Sequence, residues 1–100
     1  MPTDSDVAEF ADMFHLLGDT TRLRIVLACL GHPISVGDIA IQLELGSSLV
    51  SHHLRPLRAG RVVNANRQGK QVFYSTADQH VSGVLASMLE RVAEPHADAD

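Results

Sequence analysis

Apolar residues recur at three- and four-residue steps over 7–17, where Val7, Phe10, Ala11, Phe14 and Leu17 fall on one stripe. That period predicts an amphipathic helix, and Gly18 ends it. Asp19 then stands where an N-cap belongs, ahead of a helix over 20–30 whose stripe is Leu23, Val26, Leu27 and Leu30, before Gly31 and Pro33 break it. Ser35, with Asp38 three residues on, resembles a capping box and opens a third helix that reaches Leu43. A turn over 45–47 leads into a fourth helix, 48–59, with Val50, Leu54 and Leu57 inward and Gly60 as its glycine stop. Pro56 deletes the backbone bond to the carbonyl of His52, which predicts a kink in the last turn.

After Gly60 the pattern turns to short extended runs, 61–66 and 71–75, around Arg67-Gln68-Gly69-Lys70. We expect a β-hairpin with a basic tip. A last helix over 77–93 carries a broad apolar face of Val81, Val84, Leu85, Met88, Leu89 and Val92, and the end from Pro95 is expected to fray. The fold class is therefore mainly α with a small β-hairpin, in one domain over 1–100.

Length and composition add limits. A chain of 100 residues buries roughly two-thirds of its unfolded surface, a thin core that argues for an oligomer. No apolar run approaches the ~20 residues of a membrane span, and the acidic start lacks the basic residues of a signal peptide, so a cytoplasmic protein without membrane contact is expected. The single cysteine, Cys29, has no partner for an internal disulfide; among Leu27, Ala28 and Leu30 it reads as a buried apolar filler.

The net charge of −4 conceals an asymmetry. Residues 1–19 carry −5 and residues 77–100 carry −4, whereas 20–76 carry +5 from Arg22, Arg24, Arg55, Arg58, Arg61, Arg67 and Lys70 against Asp38 and Glu44. Five of those bases lie between 55 and 70, so a basic surface sits inside an acidic chain.

Basic charge, a helix pair and a hairpin together give the pattern meaning. A short helix, a tight turn and a second helix over 35–59 form a helix-turn-helix, and the hairpin over 61–76 is its wing. The second helix buries Val50, Leu54 and Leu57 and offers Ser47, Ser48, Ser51, His52 and Arg55 to base edges and phosphates. Arg67, Gln68 and Lys70 can reach phosphates beside the groove. Each feature also has a plainer explanation, since serines at a helix start commonly cap it and a charged hairpin tip is commonly just solvated. His53 can face either the core or the phosphates. No nucleophile elbow, phosphate loop or His-Glu-x-x-His spacing is present, so an enzyme is not expected; a dimerisation module without DNA binding is the alternative.

The runs LGDTTRLRIVLACL, SVGDIAIQL, SSLVSHHLRPLRAGRVV, RQGKQVFYS and ADQHV resemble the ArsR/SmtB family of bacterial metal-responsive repressors over most of the chain. The resemblance implies a homodimeric winged helix-turn-helix joined through the first and last helices, 7–17 and 77–93. It implies a repressor that sits on double-stranded operator DNA and leaves it when an inducer binds. It also implies zinc, cobalt or nickel as that inducer, with no metal required for folding. In one branch, two ligands at the start of the last helix join two from the end of the partner's, eleven and fourteen residues past the histidine. Here Asp78 and His80 match the first pair and Glu94 the fourteenth position, but the eleventh is Arg91, which has no lone pair to give. His96 is the candidate replacement, for a site of Asp78, His80, Glu94 and His96. Two other readings stay open. Arg91 can pair with Asp78 or Glu94 of the partner subunit in place of a metal, or Asp78 can merely cap the helix beside a surface His80.

Overall fold

The first helix, α1 (Asp4–Leu17), begins three residues before the apolar stripe does. Thr3 and Asp6 form a reciprocal capping box, each side chain accepting the other's amide at 3.0 Å, and Asp4 and Asp6 complement the helix dipole. The stripe alone hid this start because its signal is polar. In this computed structural model, which describes residues 1–95, α1 has no fully buried residue: Val7, Phe10 and Phe14 stay exposed, the two phenyl rings stacked with centroids 5.0 Å apart.

Asp19 caps α2 (Thr20–Ala28) as expected, accepting the Arg22 amide at 2.9 Å. That bond holds the Asp19 carboxyl below its usual range, burial opposing and the Arg22 and His53 charges assisting. The cap thus acts while Asp19 is ionised and is lost as pH falls through its lowered pKa. The helix stops two residues short of Leu30, with Cys29 as its cap. Its buried face is also rotated from the expected stripe: Ile25, Val26 and Ala28 are buried, with Cys29 beyond them, while Leu23, Leu27 and Leu30 are only partly covered.

One strand has no counterpart in the sequence pattern. β1 (Ile34–Ser35) is two residues long and pairs antiparallel with β3 (Gln71–Thr76), Ile34 opposite Tyr74 and Ser35 opposite Phe73. Ser35 then serves as N-cap of α3 (Val36–Leu43), its hydroxyl accepting the Asp38 amide at 3.2 Å. Glu44 closes α3 in the left-handed region, at φ 58°.

The next helix, α4 (Ser47–Ala59), contributes Val50, Leu54 and Leu57 to the core, as its pattern predicted, and continues through Pro56. β2 (Val63–Gln68) pairs with β3 in register from Val63 opposite Thr76 to Gln68 opposite Gln71, giving the sheet order β1-β3-β2. Both strands start or end later than the pattern indicated. α5 (Gln79–Ala93) buries only Leu85 and leaves Val84, Met88, Leu89 and Val92 exposed. The result is a winged helix-turn-helix: α3 and α4 form the pair, β2 and β3 the wing.

Gly60 ends α4 as expected, but without the left-handed turn of a glycine stop. Its φ is −82°, and the left-handed residue is Arg61 at φ 61°. The glycine is needed for room, because a Cβ there would lie 2.6 Å from Leu16 Cδ1 and 3.2 Å from the Pro56 carbonyl oxygen. Gly60→Ala is therefore expected to destabilise the fold by about 1–3 kcal/mol in urea unfolding. Gly37→Ala, with nothing within 4 Å, should not be destabilising.

Candidate nucleic-acid interface

Gly46, the N-cap of α4, has no side chain, and no side chain caps this helix. The serines at its start are therefore not used as caps, and the first amides of α4 remain directed outward. At about 100° per residue, Ser48, Ser51, His52 and Arg55 fall on the side opposite Val50, Leu54 and Leu57. Ser47, Ser48, Ser51, His52 and Arg55 together line one shallow concavity of about 360 Å³. All five are exposed, so the expected reading residues on α4 are brought to a single surface.

His53 belongs elsewhere. It is half-buried, and its charge helps lower the pKa of Asp19, so it lies toward the start of α2. The two imidazoles meet edge-on with centroids 5.7 Å apart. Arg58 was not among the residues the sequence pattern singled out for DNA. It is exposed, three residues after Arg55 and seven after Ser51, which puts it beside the serine edge of the same face.

The wing tip is tighter than expected. β2 runs through Gln68, leaving Gly69 and Lys70 as a two-residue turn with Gly69 at φ 65°, the sign a two-residue hairpin turn needs at its first position. Strand alternation puts Arg67 on the side of Val63 and Ala65, and Gln68 on the side of Asn64 and Asn66. Arg67, Gln68 and Lys70 are all exposed.

Three of the seven bases in the central segment are engaged in tertiary contacts. Arg22 donates from Nε to the Leu16 carbonyl at 2.8 Å and from Nη2 to the His15 carbonyl at 3.4 Å, binding the end of α1 to α2. Arg24 donates to the Leu43 carbonyl at 3.2 Å, at the end of α3. Arg61 pairs with Glu9 of α1. Each guanidinium joins separate elements, although Arg24 and Arg61 stay exposed; among the described residues of the segment, Arg55, Arg58, Arg67 and Lys70 are exposed bases with no such engagement.

The candidate sensor residues lie at the two ends of α5. Asp78 is its N-cap, with Oδ1 accepting the amides of His80 at 2.9 Å and Val81 at 3.0 Å. This start is tied to the base of the wing: the Ala77 amide donates to the Val62 carbonyl at 3.0 Å, and Asn64 Nδ2 donates to the Ala77 carbonyl at 2.9 Å. Asp78 and His80 edge a groove of about 560 Å³ between α1 and α5, floored by Phe10, Phe14, Val81 and Leu85. Glu94 caps the other end of α5 and is exposed beside Arg91. Fourteen residues of helix put it about 21 Å from His80, beyond any shared coordination within one chain. Among the described residues no three metal-ligating side chains gather, and His96 lies outside the described residues.

Cys29 is 1% exposed, and burial pushes its thiol up to about 12, which keeps it protonated and inert at neutral pH. A thiol-alkylating reagent at pH 7.5 is expected to leave the folded chain unmodified and to label it after denaturation, as read by intact mass.

The comparisons with known proteins agree with this geometry. Residues 19–65 match the family described as bacterial regulatory protein, arsR family. The chain is similar to the transcriptional repressor SmtB homolog of Synechocystis sp., 36% identical over 86 residues that make up 86% of this chain and 65% of that repressor. About a third of that relative therefore lies outside the match. It is also similar to the HTH-type transcriptional regulator NmtR of Mycobacterium tuberculosis, 35% identical over 84% of this chain and 71% of the relative. Among solved structures, HlyU from Vibrio cholerae superposes with a TM-score of 0.82 at 27% identity, covering 91% of this chain and 98% of that one. The winged helix pair and the sequence similarity across it lead to one conclusion: the chain belongs to the ArsR family of bacterial regulatory proteins.

Proposed function

We propose that this protein is a DNA-binding transcriptional repressor acting as a homodimer. The observation that carries the reading is the outward face of α4, where five polar or basic side chains line one concavity and no side chain caps the helix start. Such a surface suits a major groove: the hydroxyls and His52 address base edges, while Arg55, the open amides and Lys70 on the wing meet phosphates. The exposed apolar residues of α1 and α5 supply the dimer surface, since Phe10, Phe14, Val84 and Met88 are exposed among the described residues. Two heads related by a twofold axis require half-sites about one helical turn apart. Selection of bound duplexes from a random-sequence pool should therefore return a pseudo-palindrome with half-site centres about 10 base pairs apart. Recovery of a single asymmetric site, or of no preferred sequence, contradicts the dimeric reading.

The donor set fits a divalent metal only in part. Asp78 has one oxygen committed to two backbone amides, His80 is exposed, and the place beside Glu94 that needs a further donor holds the Arg91 guanidinium. The Arg91 guanidinium thus supplies a cation where a metal would otherwise sit. In the dimer, Arg91 reaches a carboxylate of the partner subunit, either Asp78 or Glu94, and relieves the repulsion between the acidic ends of the chains. Release from DNA then depends on whatever favours a dimer geometry in which the two heads no longer match the operator. Titration with zinc, cobalt or nickel is expected to leave the protein on its duplex, and Arg91→His is expected to create metal binding. Stoichiometric zinc binding by the unaltered chain with loss of the duplex overturns this assignment.

A further inference from the structure

We infer that Leu49 reads the C5-methyl group of a thymine in each half-site, an assignment that rests on the DNA-binding reading of α4. Leu49 is the third residue of the helix and 43% exposed, while Val50 beside it is fully buried. At about 100° per residue it stands three positions before His52 and seven before Pro56, so these three exposed residues form one row along the helix. The neighbouring positions Ser48, Ser51, His52 and Arg55 offer only hydrogen bonds and charge. Leu49 is the exposed aliphatic side chain on the leading turn, where a recognition helix comes nearest the base edges.

The occupant follows from the groove's own chemistry. The thymine methyl is the one apolar group that a base pair presents on its major-groove edge, and an aliphatic side chain gains by covering it. Leu49 is one turn before His52 and flanks the concavity that His52 lines, so a duplex engaged by His52 brings its groove floor beside Leu49. Contact with the methyl removes apolar surface from water on both sides and needs no hydrogen-bond partner. It adds what the serines and His52 cannot supply: a preference for thymine over cytosine or uracil at one position, next to the base pair that His52 addresses.

The test uses the full chain and a duplex selected by it from a random pool, with each thymine replaced in turn by uracil, which removes only the methyl. Uracil at one thymine per half-site is expected to weaken binding about fourfold per substituted site. Leu49→Ala should bind the thymine duplex more weakly and lose the penalty at that thymine while keeping every other. Ile41→Ala, which removes an exposed aliphatic side chain from α3, should keep the unaltered profile. Indifference of the unaltered chain to uracil at every position overturns the assignment, as does a Leu49→Ala protein with the full penalty. Both results leave duplex binding intact. Failure to retain any duplex overturns the DNA-binding reading itself, and the role of Leu49 with it.

Discussion

Leu54→Ala is expected to lower the free energy of unfolding by about 2–5 kcal/mol, measured by urea or thermal denaturation. Leu54 is 1% exposed and central to the inward face of α4, between the fully buried Val50 and Leu57. Truncation there removes apolar packing and leaves a cavity that the surrounding Ile25, Ile39 and Val62 can fill only in part. Domains of this size have about 5–15 kcal/mol in total, so this one change takes a large share of it. The functional consequence follows from geometry, because the side chains that hold α4 in place are also what aim Ser48, His52 and Arg55 outward. Duplex binding should fall with stability and recover on cooling or in Leu54→Met, which conserves volume.

Joint replacement of Arg55 and Lys70 by Ala is expected to weaken binding to all duplexes alike. It should also flatten the dependence of affinity on salt. Removing one bound phosphate from the interface reduces the slope of log affinity against log salt by about 0.9. In a dimer each substitution acts twice, so the double variant should have a slope shallower by about 3 to 4. Ser51→Ala should behave differently: the slope should stay the same while discrimination between related duplexes changes by about 0.5–1.5 kcal/mol. The reverse pattern, with Ser51 setting the slope and Arg55 the discrimination, exchanges the roles assigned to them. The contrast rests on where these groups lie. Arg55 is within the α4 concavity and Lys70 on the wing turn, whereas Arg22, Arg24 and Arg61 are engaged with other parts of the protein.

What the sequence disclosed was whatever is written in local order. The inward face of α4, the caps at Asp19 and Ser35 and the glycine in the wing turn each depend on residues within a few positions of one another. The non-local features were out of reach. β1 is two residues long and exists because Ile34 and Ser35 find Tyr74 and Phe73 some forty positions away. The engagement of Arg24 with the Leu43 carbonyl and of Arg61 with Glu9 is tertiary, so counting charges along the chain does not tell which bases are tied to other elements. Gly60 looked like a conformational stop, and only the approach of Leu16 shows that space is what it provides. His53, undecided by its neighbours in sequence, is half-buried on the side facing Asp19, the N-cap of α2.

At the ends of α5 the same division holds. The spacing from His80 to Arg91 and Glu94 is legible along one helix, and Asp78 is a clear cap. Whether those ends meet depends on a second chain, so the role proposed for Arg91 stands or falls with the proposed dimer.

The measurement that bears most directly on the central claim is the affinity of the full chain for a selected duplex across a series of salt concentrations. A net charge of −4 on the chain gives no general attraction to DNA, so binding must come from a local surface. Log affinity is expected to fall linearly and steeply with log salt, the slope set by the number of phosphates met and reduced by the Arg55 and Lys70 substitutions. Absence of duplex affinity at low salt, or an affinity indifferent to salt and to those two substitutions, contradicts a DNA-binding role for this surface.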